Sequence, residues 1–297
     1  MIKTTVSPQN LTDDFYLPVE YRFFHTKDEP DCPHIKFKYH NHDFYEFYCL
    51  VSGNVQFLIE GKIYKLRPWD ILLINRREIH NTVIQPGEVY ERIVFWINPD
   101  FAIKNSTPQS DLTWCFNASI HQNYSFLRPD SEVCVILQKI INRFERTLDY
   151  SEFGNEILKN LYLIELLVFL NKAMRESTQK IMDIEYNDKV NDVISYINAN
   201  LTEDLSLDSL ADRFFMSKYN LLRKFQKYTG CSVYKYIRQK RLVMAKTLLR
   251  EGEPVLQVCK ICGFGDYSHF IRYFKEETGV SPKQYVKIIQ SEAHFLE

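Results

Sequence analysis

The chain has 297 residues, enough for two ordinary domains that each bury a core. With 45% apolar and 25% charged residues and only 9 Gly and 11 Pro, the composition is that of a globular protein and excludes a long low-complexity tract. The net charge of −1 hides an asymmetry, because Arg213 to Arg250 holds 11 basic residues and no acidic one. Such a stretch inside a neutral protein is the footprint of a polyanion partner, or else a solvated helical face.

The opening MIKTTVSPQN lacks the apolar core of a signal peptide. The most apolar run, Leu161 to Leu170, is ten residues long and carries Glu165, whereas a spanning helix needs about 20 apolar residues. Seven scattered cysteines, an odd number, suit reduced thiols. The expectation is a cytoplasmic protein with no membrane partner.

The first third predicts strands over Phe47–Val51, Val55–Ile59, Ile63–Leu66, Ile71–Ile74 and Arg92–Ile97. Ser52-Gly53-Asn54 and Glu60-Gly61-Lys62 fall between them as turns. Short strands joined this tightly predict an antiparallel barrel or sandwich. After Asp130 the period becomes helical. VCVILQKIINRF and EILKNLYLIELLVFLNKA carry apolar residues at three- and four-residue spacing. These helices suit either an intrachain core or a dimer seam. EYNDK (185–189) is read as part of a linker.

The last hundred residues contain a repeat. LLRKFQKYTGCSVYKYI (221–237) and FIRYFKEETGVSPKQYV (270–286) share six of 17 positions at an offset of 49: Arg223/Arg272, Phe225/Phe274, Thr229/Thr278, Gly230/Gly279, Ser232/Ser281 and Tyr236/Tyr285. Upstream the offset is 48, and the one-residue difference falls at Gly263-Phe264-Gly265. Each copy reads as a short helix, a turn and a longer helix. Leu207 to Phe214 is the first short helix. Ser217 and Asp266 are placed to cap the longer helices, and Gly230 and Gly279 to end them. Ser281-Pro282 starts a final helix. This is the anatomy of a helix-turn-helix.

By periodicity, Leu221, Leu222, Phe225 and Tyr228 turn inward in the first copy, leaving Tyr219, Asn220, Arg223, Lys224 and Lys227 outside. The matching outward set in the second is Ser268, His269, Arg272, Tyr273 and Lys275. Arginine pairs bidentately with guanine in the major groove, while Lys, Asn and Tyr hold phosphates or base edges. Between the copies, Ser232 to Arg250 forms a helix of roughly 28 Å, close to the ~34 Å of one DNA turn. Double-stranded DNA is the expected partner.

GFGDYSHFIRYFKEETGVSPKQY resembles the C-terminal signature of AraC/XylS-type transcription regulators, and LADRFFMSKYNLLRKFQKYTGCS resembles their first helix-turn-helix. The resemblance covers about Val190 to Ile289. It implies a seven-helix domain with two helix-turn-helix units and transcription control, usually activation, with RNA polymerase and a second copy of the chain as partners. By position, Tyr219, Leu222, Arg223, Ser268, His269 and Arg272 match the family's groove-facing sites. Leu222 departs from the polar residue often found there, and offers only a contact to a thymine methyl or the backbone.

HNHDFYEFYCLVSG followed by LRPWDILLINRREIH resembles the cupin-like sensor domain of the same family. His40, His42, Glu46 and Gly53 match the HxH…E…G pattern of metal cupins, and His80 stands where a last histidine ligand would be. In a strand, His40, His42 and Glu46 share a face. Three imidazoles and a carboxylate suit Zn, Fe, Mn or Ni. The departures are His34, Trp69, Asn75, Arg77 and Ile84, where the metal pattern has Gly, Gly, Pro, Gly and Asn. The resemblance implies no cofactor, because many sensors of the family keep these histidines without a metal. The predicted role is effector binding by His40, His42, Glu46, Trp69, Arg77 and His80, with a sugar as the class suggested by the aromatic-rich domain and by the family. Histidines hydrogen-bonding across the barrel are the structural alternative. A metal-dependent cupin enzyme with a helical appendage is the rival function. CKIC (259–262) is a single pair that cannot complete a tetrahedral site, and Cys259 aligns with Ala211 in a packed helix.

The expected fold is α+β in two domains. A cupin-like antiparallel β-barrel spans 1–130 and a helical pair 131–176. A linker at 177–189 leads to an all-α DNA-binding domain over 190–290, with helix-turn-helix units near 207–229 and 255–278.

Overall fold

The computed structural model describes residues 19–29, 39–118, 124–148, 152–177 and 183–293. Cys32, His34 and the N-terminal segment read above lie outside them.

The strands are β1 (Tyr21–Asp28), β2 (Tyr45–Ser52), β3 (Val55–Ile59), β4 (Lys62–Lys65), β5 (Ile71–Ile74), β6 (His80–Ile84), β7 (Tyr90–Ile97), β8 (Phe126–Leu127) and β9 (Ile184–Glu185). They form two antiparallel sheets, in the orders β1-β7-β2-β5-β8 and β6-β3-β4-β9. The sheets face each other. Tyr48, Leu50, Leu72 and Val94 of the first pack against Val55, Phe57, Ile59 and Tyr64 of the second, forming the barrel interior.

Each sheet is also covered on its outer face. After a short α1 (Pro99–Lys104) come α2 (Ser131–Arg146) and α3 (Asn155–Glu176). Their Leu137, Ile140, Phe144, Leu163, Leu166 and Leu170 bury Phe47, Cys49, Leu73 and Phe95 on the first sheet. The intrachain-core reading therefore holds for the inward sides of both helices. Burial on both faces explains why β5 (ILLI) has no polar alternation.

The all-α domain comprises α4 (Asp188–Ala199), α5 (Leu207–Arg213), α6 (Lys218–Thr229), α7 (Val233–Arg250), α8 (Val255–Ile261), α9 (Tyr267–Thr278) and α10 (Pro282–Ala293). Val190, Ile194, Phe225 and Tyr228 share one core with Leu58, Ile63 and Ile79 from the outer face of the second sheet. Close approach is built into the turns: a Cβ on Gly61 would lie 2.3 Å from Ile194 Cδ1, and one on Gly230 would lie 3.3 Å from Leu58 Cδ2.

Part of the expected linker is structured. Ile184 and Glu185 pair with Tyr64 and Ile63, extending the second sheet. Arg128 bridges Asp70 and Asp183 beside this strand. Helix α4 starts at Asp188, with Asn187 capping the Val190 N–H.

Candidate nucleic-acid interface and sensor site

The capping residues fix both recognition helices. Ser217 accepts from Asn220 N–H ahead of α6, and Asp266 accepts from His269 N–H at 2.6 Å ahead of α9. Gly230 (φ 80°) and Gly279 (φ 74°) end the helices in the left-handed conformation that glycine adopts without strain. Ser232 caps the connector α7 at Lys235 N–H. From α7, Arg241 donates to Leu201 O (2.9 Å), Glu203 O (3.0 Å) and Gly263 O (2.8 Å). That single guanidinium ties the loop after α4 to the turn of the second unit.

Tyr219, Arg223, Lys227, Ser268, Arg272 and Lys275 are exposed, while Asn220, Lys224 and His269 are half-buried. Three expectations change. Leu222 is 41% exposed, so periodicity alone misplaced it: the shared core takes Leu221, Phe225 and Tyr228 of this helix and leaves Leu222 outside. Tyr273 is 5% exposed in the core of the second unit, with the Arg238 guanidinium 3.6 Å above its ring. It is thereby removed from the DNA-facing set. Lys227 is exposed but paired with Glu185 of β9 at 2.7 Å. Cys259 and Cys262 are buried in the same core as Phe270 and Phe274 and pack as apolar side chains.

In the barrel, His40 and His80 exchange both backbone hydrogen bonds, at 3.1 and 3.0 Å. Their rings lie 4.4 Å apart, and His42 lies 5.0 Å from His80. A carbonyl only accepts, so the contacts His42 Nδ1 to Phe44 O (3.0 Å) and His80 Nδ1 to Glu78 O (3.2 Å) place the proton of each neutral ring on Nδ1. Both Nε2 lone pairs then face Glu46 Oε2, at 2.9 Å and 3.9 Å. Burial lowers His42 to about 3, lowers His80 well below its usual value and raises Glu46. A protonated Glu46 donating to His42 Nε2 satisfies this geometry. The donor set also suits a divalent transition-metal ion, with His40, His42 and His80 as ligands within 4.8 Å of one another and carbonyl contacts orienting two of the rings.

His40, Glu46 and His80 line an interior cavity of about 70 Å³ with Tyr48, Arg92 and Trp96. Two expected effector contacts lie elsewhere. Trp69 occupies a turn with φ 70° closed by Asp70 N–H to Arg67 O (3.0 Å), and its ring packs on the outer core of the first sheet. Arg77 lines a cleft between the domains.

A family profile described as an AraC-like ligand binding domain matches residues 30–167, and one described as a helix-turn-helix domain matches residues 210–288. The chain belongs to the AraC family of transcriptional regulators. It is 26% identical over 266 residues to the HTH-type transcriptional activator RhaS of Escherichia fergusonii, covering 86% of this chain and 90% of RhaS. Among solved structures, ToxT from Vibrio cholerae is 14% identical with a TM-score of 0.36, covering 90% of this chain and 98% of ToxT. The C-terminal domain of AraT, a response regulator from Geobacillus stearothermophilus, is 27% identical with a TM-score of 0.34, covering 34% of this chain and 86% of that domain. The family match makes this an effector-responsive DNA-binding regulator, and its relatives are regulators rather than enzymes. No helix among the described residues is long and apolar enough to cross a membrane.

In this AraC-family chain, sequence reasoning missed the residues that join sensor to DNA-binding domain. Glu60 of the β3–β4 turn accepts from Tyr236 OH (2.5 Å), Lys240 Nζ (2.7 Å) and Ile79 N–H (2.7 Å). Asp43, between His42 and Phe44, is buried against Arg250 (2.7 Å), Lys246 (3.7 Å) and Tyr285 OH (2.9 Å). Glu60 also holds φ 47°, a strained value for a residue with a side chain. The available signal was the identity Tyr236/Tyr285 within the repeat.

Proposed function

We propose that this chain is a transcriptional activator that acts as a cytoplasmic homodimer, contacts RNA polymerase and responds to a hydroxylated small molecule. The observation that carries the DNA-reading half is the pair of capped, exposed recognition helices on one basic connector. Tyr219, Asn220, Leu222, Arg223 and Lys224 would contact one major groove, and Ser268, His269, Arg272 and Lys275 the next. Lys227 would join them when freed from Glu185. Activation is supported by the name of the RhaS relative. Dimerisation is supported by Ile157, Leu161 and Val168, which stand exposed on α3 away from the sheet.

The effector half rests on family membership and on the sensor–reader contacts at Glu60 and Asp43. A ligand controls DNA binding to the extent that it favours one arrangement of the two domains. The test is genome-wide mapping of sites bound by the full chain, followed by footprinting with and without candidate inducers from neighbouring operons. Discrete sites whose occupancy or footprint changes with one inducer are expected. Binding without sequence preference would overturn the reading.

A further inference from the structure

The barrel cavity of about 70 Å³ has room for about two waters at ~30 Å³ each. The cleft between barrel and DNA-binding domain measures about 670 Å³, inside the roughly 300–1,000 Å³ of small-molecule sites, which favour domain interfaces. Two of its acidic groups are already engaged. Glu60 holds Lys240 and Tyr236, and Glu78 accepts from Asn75 N–H (2.7 Å) and Ser125 OH (2.8 Å). Asp192 stands exposed at the rim. Against these, the guanidinium groups of Arg76 and Arg77 have no ion-pair partner among the described residues. The facing wall is Asn191, Ser195 and Asn198, spaced by four and three residues along one side of α4. Arg76 acts on Asp43 only at longer range and Arg77 is exposed, so two guanidiniums without a close ion pair, opposite a row of amides and a hydroxyl, match a molecule with an anionic end and several hydroxyls.

We infer that this cleft is the effector site, and that the effector is a hydroxylated carbon skeleton bearing a carboxylate or phosphate: a sugar acid or a sugar phosphate. The anionic group pairs with Arg76 and Arg77 on the barrel. The hydroxyls meet Asn191, Ser195 and Asn198 on the DNA-binding domain. The ligand therefore touches both domains and is held beside the Tyr236–Glu60–Lys240 contact, where it favours the arrangement that fits it. This inference rests on the effector-responsive reading above.

The test is thermal unfolding of the full chain with gluconate, glucose 6-phosphate, glucose and inorganic phosphate, with affinities from calorimetric titration. A rise in Tm with gluconate or glucose 6-phosphate, and none with glucose, is expected; which of the two acts distinguishes carboxylate from phosphate. Arg77→Gln and Asn191→Ala should each weaken that binding at least tenfold and leave effector-free operator binding intact. Arg77 is exposed, and Arg77→Lys should restore part of the affinity. The inference is overturned if neither anionic sugar binds, if inorganic phosphate alone binds as tightly, or if binding persists in Arg77→Gln. It is likewise overturned if glucose binds and His42→Gln, rather than Arg77→Gln, abolishes it; the regulator reading would then stand. Failure of the wild-type chain to bind any operator would instead remove the regulator reading.

Discussion

Tyr285, on the last helix of the DNA-binding domain, donates its hydroxyl to Asp43 Oδ2 across 2.9 Å in the sensor domain. Burial raises the phenol, so it stays a donor. Burial also works against the Asp43 carboxylate, but Lys246 and Arg250 outweigh it and hold its pKa below the usual value. The repeat-equivalent Tyr236 does the same to Glu60. Hydrogen bonds to charged groups are worth about 1.5–3 kcal/mol. Tyr285→Phe and Tyr236→Phe should each lower the stability of the full chain by that order, read from urea midpoints at constant slope. Wild-type midpoints in both variants would mean that the contacts hold nothing.

The recognition helices predict two different signatures. Arg223→Ala and Arg272→Ala should each cost ~1–3 kcal/mol and relax preference at one base position. Lys224→Ala should weaken all sequences alike and reduce the salt slope of binding by about one. Competition binding against single-base operator variants, repeated across salt concentrations, separates the two. Identical profiles for all three variants would contradict the assigned roles.

How much of this was legible in the sequence depended on whether one neighbour or two set the pattern. Strands β3 and β5 match the expected bounds, because turn residues bracket apolar runs. The caps at Ser217 and Asp266 were readable because capping is local. Strand β1 was missed: it lies at the sheet edge, pairs only with β7, and its YRFFHTKD is half-buried without clean alternation. Strand β6 was missed because it begins at His80, whose burial comes from its bridge to His40. Tyr273 looked outward because its position matches Lys224, and only the packing of Arg238 from α7 shows otherwise. Asp43 and Glu60 were invisible, since their partners lie 242 and 176 residues away.

The first helix-turn-helix carries strain that the second avoids. Phe215 holds φ 51° and is 92% exposed, whereas at the 48-residue offset the second unit has Gly263 with φ 72°. A left-handed conformation costs a bulky residue about 1–2 kcal/mol, and asparagine tolerates it better. Phe215→Asn should therefore raise stability by ~0.5–1 kcal/mol, measured as an increase in denaturation midpoint. A fall would show that the ring makes contacts outweighing its backbone strain.

His25 predicts a pH dependence. It binds Glu145 of α2 (2.6 Å) and Glu91 of β7 (2.9 Å). The Glu145 hydrogen bond, opposed by partial burial and aided by Glu91, raises its pKa above 6.5. A raised folded value means the stabilisation is complete below the unfolded pKa and is lost as pH rises through the folded one. Wild type should therefore lose stability relative to His25→Gln as pH rises above about 6.5, the ordinary histidine value. Parallel curves would exclude a protonated His25 as the clamp.

The β9 pairing has a mechanical consequence. Around their shared apolar core, polar contacts pin the reader half to the barrel at Glu60 (Tyr236, Lys240), at Arg77 O (Lys240), at Asp43 (Tyr285, Lys246, Arg250) and at Glu185 of the stitched-on strand (Lys227). Undoing any one pin therefore does not set the reader adrift, because the apolar core and the other pins still hold it. Freedom is gained only on the side that opens, and each pin guards a different side of the seam between the sensor and the two recognition helices.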